Sequence, residues 1–338
     1  MTRIGTIAYA AQSGLGILAK SFFDHGIVER ILILPHKHFL THLDWYPASQ
    51  RHTPAQGADF LKRIDVLLLF ENAWDCWPLV YAARRLGKRI VMMPMYEYTP
   101  CPIKVEPDLY LCPSLLDCQY FQNKSHVFIP VPVEQPWRLR ERARHFVHNA
   151  GHGGKDLRNG TPELLEAMRY VQSPIKLTVR GQPSVRLLAR DRKTADPLAE
   201  LLRGTPPDPR VTIRLENIPA TELFAEGDVF IFPEKFNGLS LPLQEAHASG
   251  MLIMAGDRFP MNTWLPQAPL IPVQGSVRKQ IAVEFDCAEY DPRAIAGTID
   301  AWYDRDITSF SQLGRDWAQA HSWETLKPRY MEALRGVM

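Results

Sequence analysis

A chain of 338 residues allows two domains at the usual ~100–200 residues each, and 46% apolar residues are ample for two cores. A formal net charge of +2 is too small to imply nucleic acid by itself, and no run reaches the ~18 apolar residues that crossing a membrane requires. Five scattered cysteines lack paired zinc spacing, and the N-terminus passes into IGTIAYAAQSGLG without a cleavage pattern; we expect a reducing, cytoplasmic setting.

Residues 4–10 read as a first strand, followed by the loop Gly14-Leu15-Gly16 and a helix over 17–25. Gly14, Gly16 and Ala19 satisfy the dinucleotide fingerprint formally. The next strand, 31–34, however, ends at Pro35-His36, where a nicotinamide site needs an acidic ribose partner. The loop therefore has two readings: a backbone approach to a phosphate or acceptor, or tight strand-to-helix packing. Strands at 66–70 and 89–93 flank an amphipathic helix over 77–86 closed by Gly87. The second of them leads into Pro94-Met95-Tyr96-Glu97-Tyr98-Thr99-Pro100, and short strands follow at 109–112 and 127–131. Strands alternating with helices predict a mainly parallel sheet covered on both faces. Ligands of such sheets gather at the carboxyl ends of the strands, a rim holding Gly14, Gly16, Glu71, Asn72, Tyr96 and Glu97. Trp74 and Trp77 add aromatic surface there or simply pack in the core.

Three prolines in 130–136 mark a linker. The arginine run WRLRERAR over 137–144 reads as a solvated helix face, with an anionic partner as the second reading. A second alternating set begins with a strand at 146–149 and the glycine-rich GHGGKDLRNG. A helix over 162–171 follows, with Thr161 as N-cap and Pro162 in its first position. Lys155 and Arg158, just before that helix, suit a diphosphate cradle. Strands at 175–179 and 211–215 come next, with Arg180 either a phosphate contact or a strand-end charge. The apolar run 229–232 then enters a loop containing Gly238 and a helix from Pro242 to about 249, ended by Gly250 before a strand at 251–255. Proline suits the first helical turn because its missing N–H is unpaired there anyway. That junction presents backbone N–H groups and the positive end of a helix dipole, which suits a phosphate. Glu245 lies within reach of a sugar diol, or is an ordinary solvated helix residue. Helices over 291–303 and 310–334 close the chain.

The order of these motifs resembles the retaining glycosyltransferases of family 4, which have the GT-B fold. The resemblance runs through most of residues 146–335. It includes the glycine-rich loop before Pro162-Glu163-Leu164-Leu165-Glu166-Ala167, the turn ending at Gly181, and Ile218-Pro219-Ala220-Thr221-Glu222-Leu223. It continues through Gly238-Leu239-Ser240-Leu241-Pro242-Leu243-Gln244-Glu245-Ala246 with Gly250, and the tail His321-Ser322-Trp323-Glu324 with Tyr330. In the first half it is looser: Gly14 and Gly16, then Gly87-Lys88-Arg89-Ile90-Val91.

The resemblance implies an α/β architecture of two Rossmann-like, doubly wound parallel-sheet domains facing an interdomain cleft. Residues 1–136 would serve the acceptor and 137–310 the donor, with a C-terminal helix in 311–338 packing back toward the first domain. It further implies a hexosyl- or pentosyltransferase using a nucleoside-diphosphate sugar, UDP-linked for preference, with no metal and no cofactor beyond that substrate. Glu245 would hold the donor ribose, and Asn237 stands where the family has a sugar-contacting glutamate. The amides of Gly238, Leu239, Ser240 and Leu241 would meet sugar and phosphate, Ser240 replacing the usual glycine. Lys155 and Arg158 approximate the family's diphosphate cations, with Arg180, Gly14 and Gly16 as further donor-side candidates. Tyr96, beside Glu97, replaces a family histidine. The family's route is front-face substitution with retention, in which the departing diphosphate helps take the acceptor proton. Glu97 keeps open an inverting displacement with a carboxylate base. The expected acceptor is a glycan or lipid-linked sugar, with a modified nucleic-acid base as the alternative, and Trp45, Trp74, Trp77, Tyr96 and Tyr98 as candidate stacking surfaces. Two other classes stay open: a non-catalytic nucleotide-sugar or glycan-binding protein, and an NAD-dependent dehydrogenase.

Overall fold

The computed structural model describes residues 2–35, 40–53, 56–71, 76–99, 102–151, 157–182, 197–204, 208–216, 218–264 and 269–338. The chain forms two compact units. One is Met1–Pro132 with Gln280–Glu284 and Trp323–Met338; the other is Val133–Lys279 with Phe285–Ser322.

The first unit is built on β1 (Ile4–Tyr9), β2 (Arg30–Leu34), β3 (Val66–Phe70), β4 (Arg89–Met93), β5 (Leu109–Cys112) and β6 (His126–Phe128). Their order is β2-β1-β3-β4-β5-β6, every pairing parallel. All of β3, VLLLF, is buried, the continuous apolar run of a sheet covered on both faces. Leu67, Leu69, Ile90 and Met92 form its core with Trp77 and Val80 from the helix Trp77–Arg85, so Trp77 is a packing residue. The helix expected from residue 17 starts at Gly14, capped by the Ser13 hydroxyl, which accepts from Gly16 N. Short helices at Gly57–Lys62 and Leu115–Tyr120 were not legible as periodic runs.

The second unit holds β7 (His145–Gly151), β8 (Lys176–Gly181), β9 (Val211–Leu215), β10 (Val229–Phe232), β11 (Leu252–Gly256) and β12 (Leu270–Ile271). The order is β12-β11-β10-β7-β8-β9, again parallel at every pairing. Strands β13 (Gly275–Gln280) and β14 (Glu284–Glu289) form a separate two-stranded pair. The chain travels outward from β7 through β8 and β9, then returns to β10 on the other side of β7. The strand order thus reverses between β7 and β10, and ligands of open α/β sheets bind outside the carboxyl ends at such a switch point.

Two expectations about helices are corrected. The closing helix over 310–334 is two helices, Thr308–Ala320 and Trp323–Gly336, because the buried residues change partner at the break. Gly314 packs so closely on the second unit that a Cβ would lie 2.2 Å from His247 O. Trp323, by contrast, donates from Nε1 to Ser21 Oγ at 2.8 Å and meets Phe22 edge-on, within the first unit. Tyr330 donates to the carbonyl of Pro130 at 3.1 Å in the same unit. The arginine run 137–144 is not helical. Its side chains are held within the second unit: Arg138 on Gly227 O, Arg140 on Phe224 O, Arg142 on Asp304 O, and Arg144 on the Asp304 carboxylate. Among the described residues no helix is long and apolar enough to cross a membrane.

Candidate functional site

The site lies at the switch point of the second unit, where the segments following β7 and β10 meet. Gly160 caps the helix Thr161–Ala167 in the left-handed region, at φ +74°. A Cβ there would sit 2.1 Å from Pro233 O, so only glycine lets the two segments touch. Gly160, and not Thr161, is therefore the N-cap. Thr161 is instead tied to His148, which is wholly buried on β7. His148 Nδ1 lies 2.9 Å from Ile231 O and Nε2 lies 2.8 Å from Thr161 Oγ1. A carbonyl only accepts, so Nδ1 carries the proton and Nε2 accepts from the Thr161 hydroxyl. Burial lowers this imidazole to about 4, which keeps it neutral. A second strap runs between the segments: Lys235 N donates to Arg158 O at 2.7 Å. The Lys235 ammonium pairs with Glu163 at 2.6 Å, and the Arg158 guanidinium lies 5.6 Å above the Phe236 ring.

Residues 233–240 then lead from β10 into the helix Leu241–Ala248. The Asn237 side-chain oxygen accepts from Leu239 N at 3.1 Å and from Ser240 N at 3.0 Å. Two of the four amides expected to face a ligand are thus drawn inward onto Asn237. Ser240 is buried and left-handed, at φ +48° and ψ +59°, and offers no side-chain cap to the helix. The Leu241 N–H is one of the first-turn donors that helix geometry leaves without an intrahelical partner, and Pro242 follows with no N–H at all.

Glu245 lies in the second turn of that helix. It is half-buried, yet the surrounding protein desolvates its carboxyl enough to push it up to about 8. Withdrawing a carboxyl from water disfavours its charged form. No cation pairs with it among the described residues. Glu234, at the start of the loop, is buried, and that burial raises its carboxyl against the pull of the neighbouring Arg258.

The other sequence candidates fall elsewhere. Arg180 is buried at the end of β8, where it donates to Leu223 O and pairs with Glu226, which Arg214 shares. Lys155 lies outside the described residues, as do Asn72 and Trp74. Gly14 and Gly16 belong to the first unit. Nothing lies within 4 Å of a Cβ built on Gly14, whereas one on Gly16 would sit 2.1 Å from Ala11 O; Gly16 is there for packing. Tyr96 and Glu97, also in the first unit, form a short turn after β4 and are both buried. Tyr96 N donates to Asp117 Oδ1 at 2.8 Å, and Ser114 Oγ donates to the other oxygen. Desolvation, with a contribution from the nearby Glu97, raises the Asp117 carboxyl to about 8. Trp45 stacks on His42, with ring centroids 5.2 Å apart.

Glu234, Lys235, Arg258 and Asp117 were missed in the sequence. The available signal was a charged residue within two positions of a parallel strand's carboxyl end, which fits Glu234 after β10 and Arg258 after β11.

No protein-family model matches the chain, and no curated protein matches it in sequence. Solved structures do. Sucrose-phosphate synthase of Thermosynechococcus elongatus is 13% identical, with a TM-score of 0.65 over 100% of this chain and 99% of that one. Anabaena HepE, solved in complex with UDP and glucose, is 10% identical, with a TM-score of 0.68 over 99% and 100%. A glycosyltransferase of Rickettsia africae is 11% identical, with a TM-score of 0.66 over 99% and 98%. At such identities the likeness establishes the fold: two doubly wound parallel sheets of the GT-B class, as the sequence motifs implied.

Proposed function

We propose that the chain is a glycosyltransferase that binds a nucleoside-diphosphate sugar, UDP-linked, in its second unit and transfers the sugar to an acceptor served by the first. The observation that carries this reading is the switch point of the second sheet. There the carboxyl of Glu245, which pairs with no cation among the described residues, stands one turn inside a helix whose amino end follows the loop 233–240. The fold likeness adds support, since HepE has been solved with UDP-glucose.

In this reading Glu245, once ionised, accepts from the ribose diol. The Leu241 N–H and the helix dipole favour the diphosphate, together with Arg158 and, when released from Glu163, Lys235. The Asn237 amide nitrogen, which also faces the Glu234 carboxylate, has a second N–H for a sugar hydroxyl, its oxygen being held by the loop. Charge developing on the departing diphosphate is stabilised by these fixed dipoles and cations, an electrostatic contribution that needs no protein nucleophile. Glu97 is only 2% exposed, a poor position for a base meeting an acceptor hydroxyl, which favours front-face substitution with retention, as in family 4. The acceptor we favour is a glycan or lipid-linked sugar.

A thermal-shift screen of nucleoside diphosphates and their sugars tests the donor: a ligand held at 100 times its Kd adds about 2.7 kcal/mol to the native state. UDP or a UDP-sugar should raise the unfolding temperature of the wild type and not that of Glu245→Ala. Equal shifts in both proteins, or none in the wild type, would remove the donor assignment. Transfer to added acceptors, followed by NMR of the anomeric centre, distinguishes an active retaining enzyme from an inverting one and from a binding protein.

A further inference from the structure

Arg258 stands two residues beyond the end of β11 and touches no part of the site just described except the loop that builds it. Its Nε donates to Glu234 O at 3.0 Å, and one terminal nitrogen donates to Glu234 Oε1 at 3.2 Å and to Asn237 O at 3.1 Å. The other terminal nitrogen donates to Phe259 O at 3.2 Å. Tyr290 adds a hydroxyl on Glu234 O at 2.7 Å. The two charged side chains are 12% and 1% exposed, and the second Glu234 carboxylate oxygen is sealed from solvent. Neither residue is therefore placed to touch a ligand. What they touch is the path of the chain: Arg258 fixes the carbonyl of Asn237, whose side chain in turn gathers the Leu239 and Ser240 amides.

We propose that Arg258 and Glu234 are positioning residues, a buried ion pair that shapes the turn 237–240 and thereby aims the Leu241 amide, Asn237 and the helix bearing Glu245 at the donor. The ligand half of this statement rests on the donor reading above; the loop half does not. The guanidinium is suited to the task because its planar fork reaches several acceptors in fixed directions, which the point charge of a lysine does not reproduce. Glu234 supplies the countercharge that a buried cation requires.

The test combines hydrogen exchange of the ligand-free protein with calorimetry, using UDP and UDP-glucose as probes, on wild type, Arg258→Lys and Glu234→Gln. The expected result is faster exchange, tenfold or more, at the Leu239 and Ser240 amides of Arg258→Lys, with β7 and β10 exchanging as in the wild type. UDP-glucose affinity should fall by about 10- to 100-fold, the scale of losing a hydrogen bond to a charged group. UDP, which shares the Leu241 and Glu245 contacts but lacks the sugar that Asn237 would meet, should lose affinity too, though less than UDP-glucose. Unchanged exchange at those two amides, or acceleration spread evenly over the second unit, overturns the proposal. Should the lysine variant fail to fold, Glu234→Gln keeps the volume and an acceptor while removing the charge, and is read by the same criteria. A wild type that binds neither probe defeats the donor reading, while the exchange arm still decides whether the pair shapes the turn.

Discussion

In the proposed donor role, one proton at Glu245 links stability to binding. The folded carboxyl titrates near 8 against about 4.3 in an unfolded chain, so between those values the native state holds a proton that the unfolded state has lost. Stability from this group is therefore greatest below about pH 4 and declines until the native carboxyl ionises near 8. Glu245→Gln lacks that decline, and the difference between variant and wild type in urea unfolding should shift in the variant's favour as pH rises from 5 to 8. Asp117 slopes the same way, so only the difference belongs to Glu245. UDP binding runs opposite: if the ionised form receives the diol, affinity should improve about tenfold per pH unit up to 8 and then level. Calorimetry at pH 6, 7, 8 and 9 reads this, and a flat profile removes the ribose role. Ser240 allows a stability prediction of its own. Its left-handed backbone costs a non-glycine residue roughly 1–2 kcal/mol, more than its buried hydroxyl recovers beside the Glu234 carboxylate. Ser240→Gly should raise stability by about 1 kcal/mol in denaturant titration.

Between elements, Gly160 is the contact that lets two strand ends share one site. Gly160→Ala places a methyl against Pro233 O, and we expect a loss of about 3 kcal/mol, at the upper end for a single substitution, together with loss of UDP binding. Denaturant unfolding and calorimetry check the two parts. This position also shows where sequence reading works and where it stops. The strands β3, β4, β5, β9 and β10 were legible to the residue, because buried parallel strands are short apolar runs between polar breaks. Thr161 was read as a cap because its type and the following proline fit one locally; its bond to His148 depends on β7, which only the fold supplies. The arginine run was misread as a helix face although arginine recurs at 138, 140, 142 and 144, a period of two that belongs to extended chain. At the site, Glu245 and the loop were visible as a motif. Arg258 was not, because its four acceptors come together only when β10 and β11 lie side by side.

For the molecule as a whole, the last helix is the informative part. Trp323, Leu326, Tyr330 and Leu334 are buried in the unit that holds β1 to β6, not in the one the chain has just left. At roughly 1.5–3 kcal/mol for each large apolar side chain, removing them approaches the ~5–15 kcal/mol that holds a whole domain together. A protein ending at Ser322 should therefore expose β1 to β6 to rapid hydrogen exchange while β7 to β11 stay protected; equal protection of both sheets would show the helix to be dispensable.

Because the chain starts in one body, builds the other, and comes back, residues 133–322 are in effect a cassette inserted into a host. Grafting a relative's second unit onto this protein thus needs two seams, near 132 and near 322, rather than a single crossover in mid-gene. The graft also imports residues 280–284, which belong to the host body. Chimeras designed with one junction should come out insoluble, whereas those respecting both seams and restoring that five-residue patch should fold.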